Sequence, residues 1–288
     1  MVVWMVAGAR GQAYNRLILA TDESPHVDLA LFTNELSMVY ELTPNTSVVS
    51  APAFTASRGS RRQPRFMVPR STVRDTWGWL WKDTLGRVAP MTGMALLYAR
   101  LSGEGLAGVG LTRAHWKREV VVGVAVGAPL AGIAALFRGW VAPQYRLPTL
   151  ADQALQTAFY LAINAPGEEL FWRGMVQTAA TGAFVAVPRL RPLARLMGWA
   201  VATAGYGSYH RLGGWSWRSI AGVTAAGALF GWLYTGRPGN RSLVAPIMAH
   251  GFATAGFLSW GDVALHWAKM RRLRAQARTE EGAQQADH

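Results

Sequence analysis

The sequence predicts an all-α protein, a bundle of transmembrane helices preceded by a poorly structured N-terminal arm. Three observations carry this reading. Long apolar runs recur from Val120 onward. Acidic residues almost vanish from the same region, with only Asp152, Glu168, Glu169 and Asp262 between Val120 and Leu265, while basic residues gather in short clusters between the runs, as in multi-spanning proteins. The runs are also rich in Gly, Ala, Ser and Thr, which let helix backbones approach closely in a bilayer, where no hydrophobic effect draws helices together.

The 288 residues show no repeat of fixed period and carry a formal net charge of +13. Such a charge can mark a nucleic-acid binder, but its layout argues against one. The arginines punctuate apolar segments and then concentrate in Lys269, Arg271, Arg272 and Arg274 after the last run, the usual place for a positive cytoplasmic flank. Nucleic acid is therefore not expected as a partner, and the lipid bilayer is. The chain has no cysteine, which excludes disulfides, thiolate nucleophiles and Cys-ligated zinc.

Along the chain, residues 1–74 read as the arm. Met1 to Ala9 is apolar but too short for a signal segment, and Thr43 to Arg70 is rich in Ser, Thr, Pro and Arg, the composition of a linker. Residues 75–265 form the membrane domain. Trp77, Trp79 and Trp81 suggest an approach at headgroup level. Val88 to Ala99 is short for a span, so an interfacial segment and a tilted span extending past Arg87 both stay open. The better spans are Val120 to Phe137, Gln153 to Val187, Leu196 to Tyr209, Ser219 to Gly236 and Ser242 to Gly261. Pro166 and Gly167 are expected to interrupt the second of these, leaving an irregular, accessible helix start, and Pro188 closes it. Residues 266–288 form a basic tail that places the C-terminus in the cytoplasm of a multi-pass protein, although Arg189, Arg191, Arg195, Arg211 and Arg218 compete for that side.

Ionisable groups at membrane depth cost about 2.5 to 3.5 kcal/mol each on insertion scales, so those that persist pair or work. In Asn164-Ala165-Pro166-Gly167-Glu168-Glu169-Leu170-Phe171-Trp172-Arg173, Glu169 and Arg173 are four apart and share a helix face as an ion pair. Glu168 points elsewhere. Two carboxylates against one arginine leave a surplus negative charge, and a carboxylate without a partner in an apolar setting gains the basicity that a general base acting on water needs. The competing reading is a structural network in which both glutamates bridge helices to arginines. Tyr206 and His210 fall on one helix face near the end of a span, where a histidine beside Arg211 can equally be an interfacial anchor. His250 lies inside an apolar stretch with no acid near it in sequence, and Thr254 follows one turn later on the same face. A histidine that only hydrogen-bonds a carbonyl would explain that position as well.

Together, one carboxylate and two imidazoles from three apolar segments are the ingredients of a metal site or of a metal-free site that activates water. Ligation of zinc by Glu168, His210 and His250 is chemically acceptable, but the histidines lack the His-x-x-x-His spacing that would signal a metal. No cofactor is predicted, with a divalent metal such as zinc as the alternative.

These residues resemble the CPBP intramembrane protease family, the CAAX-protease and bacteriocin-processing group. Its marks are Glu-Glu-x-x-x-Arg, then Phe-x-x-x-His, then His-x-x-x-Asn or Asp, each on a transmembrane helix. Glu168, Glu169 and Arg173 match the first fully, and Gly174 follows. His210 matches the second with Tyr206 in place of Phe. His250 matches the third, preceded by the run from Arg241, with Thr254 where the family carries Asn or Asp. The resemblance covers roughly Glu119 to Asp262 and implies a helical bundle of the CAAX-protease type. By the resemblance, Glu168 with His210 would position and deprotonate a water, His250 with Thr254 would stabilise the oxyanion, and Glu169 with Arg173 would hold the helix geometry. The substrate would be a membrane-associated peptide or protein. Two other readings are carried forward: a non-catalytic immunity or scaffold protein of the same fold, and a transporter or channel in which these groups relay protons.

Overall fold

The computed structural model describes residues 70–103, 105–141, 146–235 and 241–286. Of the expected arm, residues 1–74, those up to 69 lie outside the described residues, whereas Arg70–Ser71 form a short strand and a helix already begins at Val73. Six helical rods make up almost all of the rest. Helix α1 covers 73–101, α2 is Trp116–Val141, α3 covers 150–185, α4 is Ala194–Tyr209, α5 is Trp217–Thr235 and α6 covers 244–286. A two-residue parallel pair, Arg70–Ser71 with Leu147–Pro148, ties the start of α1 to the entry of α3.

Helix α1 begins with a capping box. The Asp75 backbone N–H donates to the Thr72 hydroxyl, and the Thr72 N–H donates to the Asp75 carboxylate at 3.0 Å, which occupies two donors that a helix start leaves unpaired. The segment read as interfacial or tilted, Val88 to Ala99, is the second half of this rod, continuous with Val73–Asp83 through a π-helical turn at Thr84–Val88. Trp77 and Trp81 stay exposed, while Trp79 packs edge-on against Phe159.

Helix α3 corrects an expectation. Pro166 and Gly167 do not open a new, accessible helix start, because the chain stays helical through both. A π-helical turn at Tyr160–Asn164 lies just before the proline, closed by the Ala165 N–H donating to the carbonyl of Tyr160. Proline lacks an N–H, and its ring collides with the carbonyl four residues earlier. The widened turn holds that carbonyl, on Ala162, and absorbs the conflict. The same device precedes Pro90 in α1, whose turn at Thr84–Val88 contains Gly86.

Among the described residues, one helix is long and apolar enough to cross a membrane, Trp116–Val141. Its 26 residues rise about 39 Å at 1.5 Å per residue, more than the roughly 30 Å of hydrocarbon. Its outer face exposes Val121, Ile133, Leu136 and Trp140, and its inner face is cut down to glycine. A Cβ on Gly123 would meet Met248 Cβ at 2.6 Å and the Ala245 carbonyl at 2.8 Å, so α2 lies directly against α6. Near the far end Arg138 pairs with Asp262 at 3.3 Å and clamps the same two helices. The segment read as a basic tail continues α6 as helix Gly261–Ala286.

Helix α3 touches α1, α4, α5 and α6. Met91, Phe171, Trp172 and Tyr206 form the buried cluster that joins α1, α3 and α4. Arg189, Arg191 and Arg195 lie at or just before the start of α4, whereas Arg211 lies beyond its end and Arg218 at the start of α5. One passage of α4 through the bundle therefore separates the two arginine groups that the sequence left competing for one side.

Candidate active site

Four rods supply the site. Helix α3 carries Asn164, Glu168, Glu169 and Arg173. Helix α1 carries Asp83 and Arg87, with Arg87 on the π-helical turn. Helix α4 brings Tyr206 and Tyr209, and His210 follows in a short 3-10 turn, His210–Gly213. Helix α6 brings His250 and Thr254. Glu168, Glu169, Arg173, His210 and His250 are all buried, and Thr254 is half-buried.

Glu169 and Arg173 form the expected pair, 3.4 Å apart and both fully buried. Arg173 also donates to the Gly227 carbonyl at 2.8 Å and lies over the Tyr206 ring, so one guanidinium joins α3 to α4 and α5. The other oxygen of Glu169 serves a different residue, His250, whose Nδ1 is 2.8 Å away. A carboxylate only accepts, so Nδ1–H is the donor. His250 had no acid near it in sequence, yet the fold gives it two: Glu169 at Nδ1, and Glu168 Oε2 at 3.8 Å from Nε2. The Tyr206 hydroxyl lies 3.2 Å from the same Nε2. Phe230 stacks on the imidazole with the planes 13° apart, which fixes the ring's tilt.

Glu168 does point elsewhere than Glu169, but it is not the partnerless carboxylate that the sequence suggested. The Arg87 guanidinium donates to Oε1 of Glu168. Asn164 Nδ2 reaches the same oxygen at 3.1 Å and the Tyr209 hydroxyl at 3.2 Å. Arg87 itself is forked onto Asp83, Nε to Oδ1 at 2.6 Å and Nη2 to Oδ2 at 2.7 Å, and Nη1 donates to Tyr209 at 2.7 Å. The glutamate pair thus meets two guanidiniums, but Arg87 brings the Asp83 carboxylate with it, so one surplus negative charge stays in the cluster of Asp83, Glu168, Glu169, Arg87 and Arg173. Oε1 is saturated with donors. Oε2 faces His250.

His210 Nδ1 lies 2.7 Å from the Tyr206 backbone carbonyl, an acceptor, so Nδ1 carries the proton and Nε2 the lone pair of the neutral ring. Tyr209 and Trp215 pack edge-on against the imidazole. The end-of-span position is therefore a built one and not a surface anchor.

A cavity of about 650 Å³ gathers these groups: Arg87, Asn164, Glu168, Tyr206, Tyr209, His210, His250 and Thr254 all line it, and most of the remaining wall is apolar. Glu169 and Arg173 stand behind His250 and outside the lining. Among the described residues no three His, Asp or Glu side chains form a group with metal-ligand geometry. Glu168 Oε1 is occupied by donors and His250 is engaged at both nitrogens, which leaves Glu168 Oε2 and His210 Nε2 as the open lone pairs of the three residues considered for zinc.

Sequence reasoning left Asp83, Arg87, Asn164 and Tyr209 without a role. The signals were present as i, i+4 pairs, Asp83 with Arg87 and Asn164 with Glu168, but the π-helical turns that aim them leave no trace in hydrophobic periodicity.

Fold and site together define an all-α bundle with a buried carboxylate and imidazole centre. A family model described as type II CAAX prenyl endopeptidase Rce1-like matches residues 150–256, the stretch from the start of α3 to just past Thr254. The family that the three motifs resemble is the one this match gives, a family of membrane-embedded CAAX-type proteases. Neither the curated proteins nor the solved structures include a match to the chain.

Proposed function

We propose that this protein is an intramembrane endopeptidase that hydrolyses a peptide bond of a membrane-associated substrate with a water activated by Glu168. One observation carries the reading. Glu168 Oε2, His250, His210 and the Tyr206 hydroxyl share one largely apolar cavity, and the groups behind them fix each in a single orientation. The 3.8 Å between Glu168 Oε2 and His250 Nε2 is too long for a direct hydrogen bond, so Oε2 stays free to accept from a water. That water gives one hydrogen bond to Oε2 and one to the Nε2 lone pair of His210. Its oxygen attacks the scissile carbonyl carbon while its proton passes to Glu168. The tetrahedral oxyanion is stabilised from the His250 side by the Tyr206 and Thr254 hydroxyls. Collapse breaks the C–N bond, and Glu168 returns the proton to the departing amine. Donors aimed at developing charge in such a site are worth about 2.7 to 4 kcal/mol each.

In this reading the protein is an integral, multi-pass membrane protein with its C-terminal helix on the cytoplasmic side, and the chemistry is metal-free. Cleavage of a membrane-anchored peptide in lipid vesicles, lost in Glu168→Ala, His210→Ala and His250→Ala separately, is the expected result. Thr254 in the Asn or Asp position favours one rival, a non-catalytic binding protein of the same fold. Equal residual signal in wild type and all three variants would establish that rival instead.

A further inference from the structure

A second cavity, of about 370 Å³, is lined by Thr112, Gln177, Thr181, Arg195, Thr235 and Arg241, among others. Thr181 is near the end of α3 and Thr235 ends α5, while Arg195 is near the start of α4 and Arg241 shortly precedes α6. The catalytic cavity is lined instead by the end of α4 and the beginning of α5. The two cavities therefore lie toward opposite ends of the bundle.

The hydrogens on the floor of this second cavity are already committed. The Thr181 hydroxyl donates to the Gln177 carbonyl at 2.7 Å, and the Thr235 hydroxyl to the Gly231 carbonyl at 3.1 Å. The Gln177 amide nitrogen donates to Gly231 O at 3.1 Å and to Thr235 Oγ1 at 3.3 Å. Gln177 is fully buried, and its Oε1 has no hydrogen-bond partner among the described residues. Gln177 Oε1 exposes no surface and packs toward Gly231, so what the floor offers a ligand is the remaining lone pairs of the Thr181 and Thr235 hydroxyls. The rim offers the opposite, two exposed guanidiniums on Arg195 and Arg241. A ligand that fits both must carry N–H donors and an anion close together. Leu193 and Leu196, either side of Arg195 in sequence, expose more than half of their surface, and basic pockets between membrane helices recognise lipid phosphates.

We propose that this cavity binds the headgroup of an ethanolamine phospholipid, with the ammonium on the hydroxyls of Thr181 and Thr235 and the phosphate on Arg195 and Arg241. The exposed leucines would lie beside the acyl chains. The site is independent of the hydrolytic reading, and its readout is lipid retention, not cleavage.

The test is native mass spectrometry of the full chain in detergent with dioleoyl phosphatidylethanolamine, phosphatidylcholine or phosphatidylglycerol. The choline lipid keeps the phosphate but has no N–H, and the glycerol lipid has no ammonium. The ethanolamine lipid is expected to be retained about tenfold better than either, the worth of one good hydrogen bond to a charged group. Arg195→Gln combined with Arg241→Gln, both on the exposed rim, should lower it to the choline level, and Thr181→Val should lower it several-fold. Equal retention of the three lipids, or wild-type retention by the double arginine variant, would overturn the proposal. So would soluble phosphoethanolamine or a dipeptide competing as well as the lipid at equal concentration, since the ligand would then be a small zwitterion.

Discussion

Arg87 and Glu168, 81 positions apart, meet as a partly buried ion pair, and the guanidinium arrives already forked onto Asp83. Arg87 lies on α1, outside the residues 150–256 that match the family model. In this protein the candidate base is therefore held by a helix that the matched region does not contain.

Replacing Arg87 by Met should leave Glu168 as a buried carboxylate without its cation. Breaking one side of a buried pair costs about 3 to 5 kcal/mol. The Arg87 side chain keeps 19% of its surface exposed, so the lower end is expected. Thermal unfolding in detergent should show that loss, and Arg87→Lys should recover part of it, since lysine keeps the charge but loses the fork onto Asp83.

The two departures from the family pattern face the same cavity. Tyr206 in place of Phe adds a hydroxyl 3.2 Å from His250 Nε2, and Thr254 in place of Asn or Asp gives up an amide or carboxyl. If the first replaces the second as oxyanion donor, Tyr206→Phe lowers the cleavage rate about 100-fold and Thr254→Asn in that background restores most of it. A double-mutant cycle on kcat reads the coupling directly, and additive effects would show that the hydroxyls act separately.

Helix α2 depends on glycine where it crosses α6. A methyl on Gly123 would press on Met248 Cβ at 2.6 Å and on the Ala245 backbone. Gly123→Ala should destabilise the bundle by about 1 to 3 kcal/mol through overpacking. Gly132, whose Cβ would meet nothing within 4 Å, is the control: Gly132→Ala should leave the unfolding temperature unchanged or slightly raised.

Chelation separates the two chemistries that the sequence left open. With Glu168 Oε1 filled by donors and His250 engaged at both ring nitrogens, cleavage should proceed unchanged after dialysis against 1,10-phenanthroline. Loss of activity that returns on adding zinc would mean that the site rearranges around a metal.

The sequence made the helical bundle legible because apolar runs and the polar stretches between them follow from hydropathy, and the Glu169 and Arg173 pair because i, i+4 neighbours share a helix face. The direction of Glu168 away from Glu169 was legible for the same reason. Its partner was not, because Arg87 comes from a segment whose apolar run was too short to read as a span and whose π-helical turn aims the guanidinium. Pro166 misled in a related way. Proline breaks a regular α-helix, but a π-helical turn ahead of it carries the helix through. His250 illustrates the remaining gap: its acids are distant in sequence and reach it only once α6 packs against α3. The arginine groups around α4 could be placed at opposite ends only from the course of the helix.

The central claim is that Glu168 activates the attacking water, and the isosteric Glu168→Gln variant tests it most directly. Single-turnover cleavage of a membrane-anchored peptide would be measured in vesicles for wild type and variant, beside their unfolding temperatures. The account predicts a rate loss of at least about 100-fold, within the range for removing a general base, with the variant still folded. Cleavage by the folded variant at the wild-type rate would contradict it.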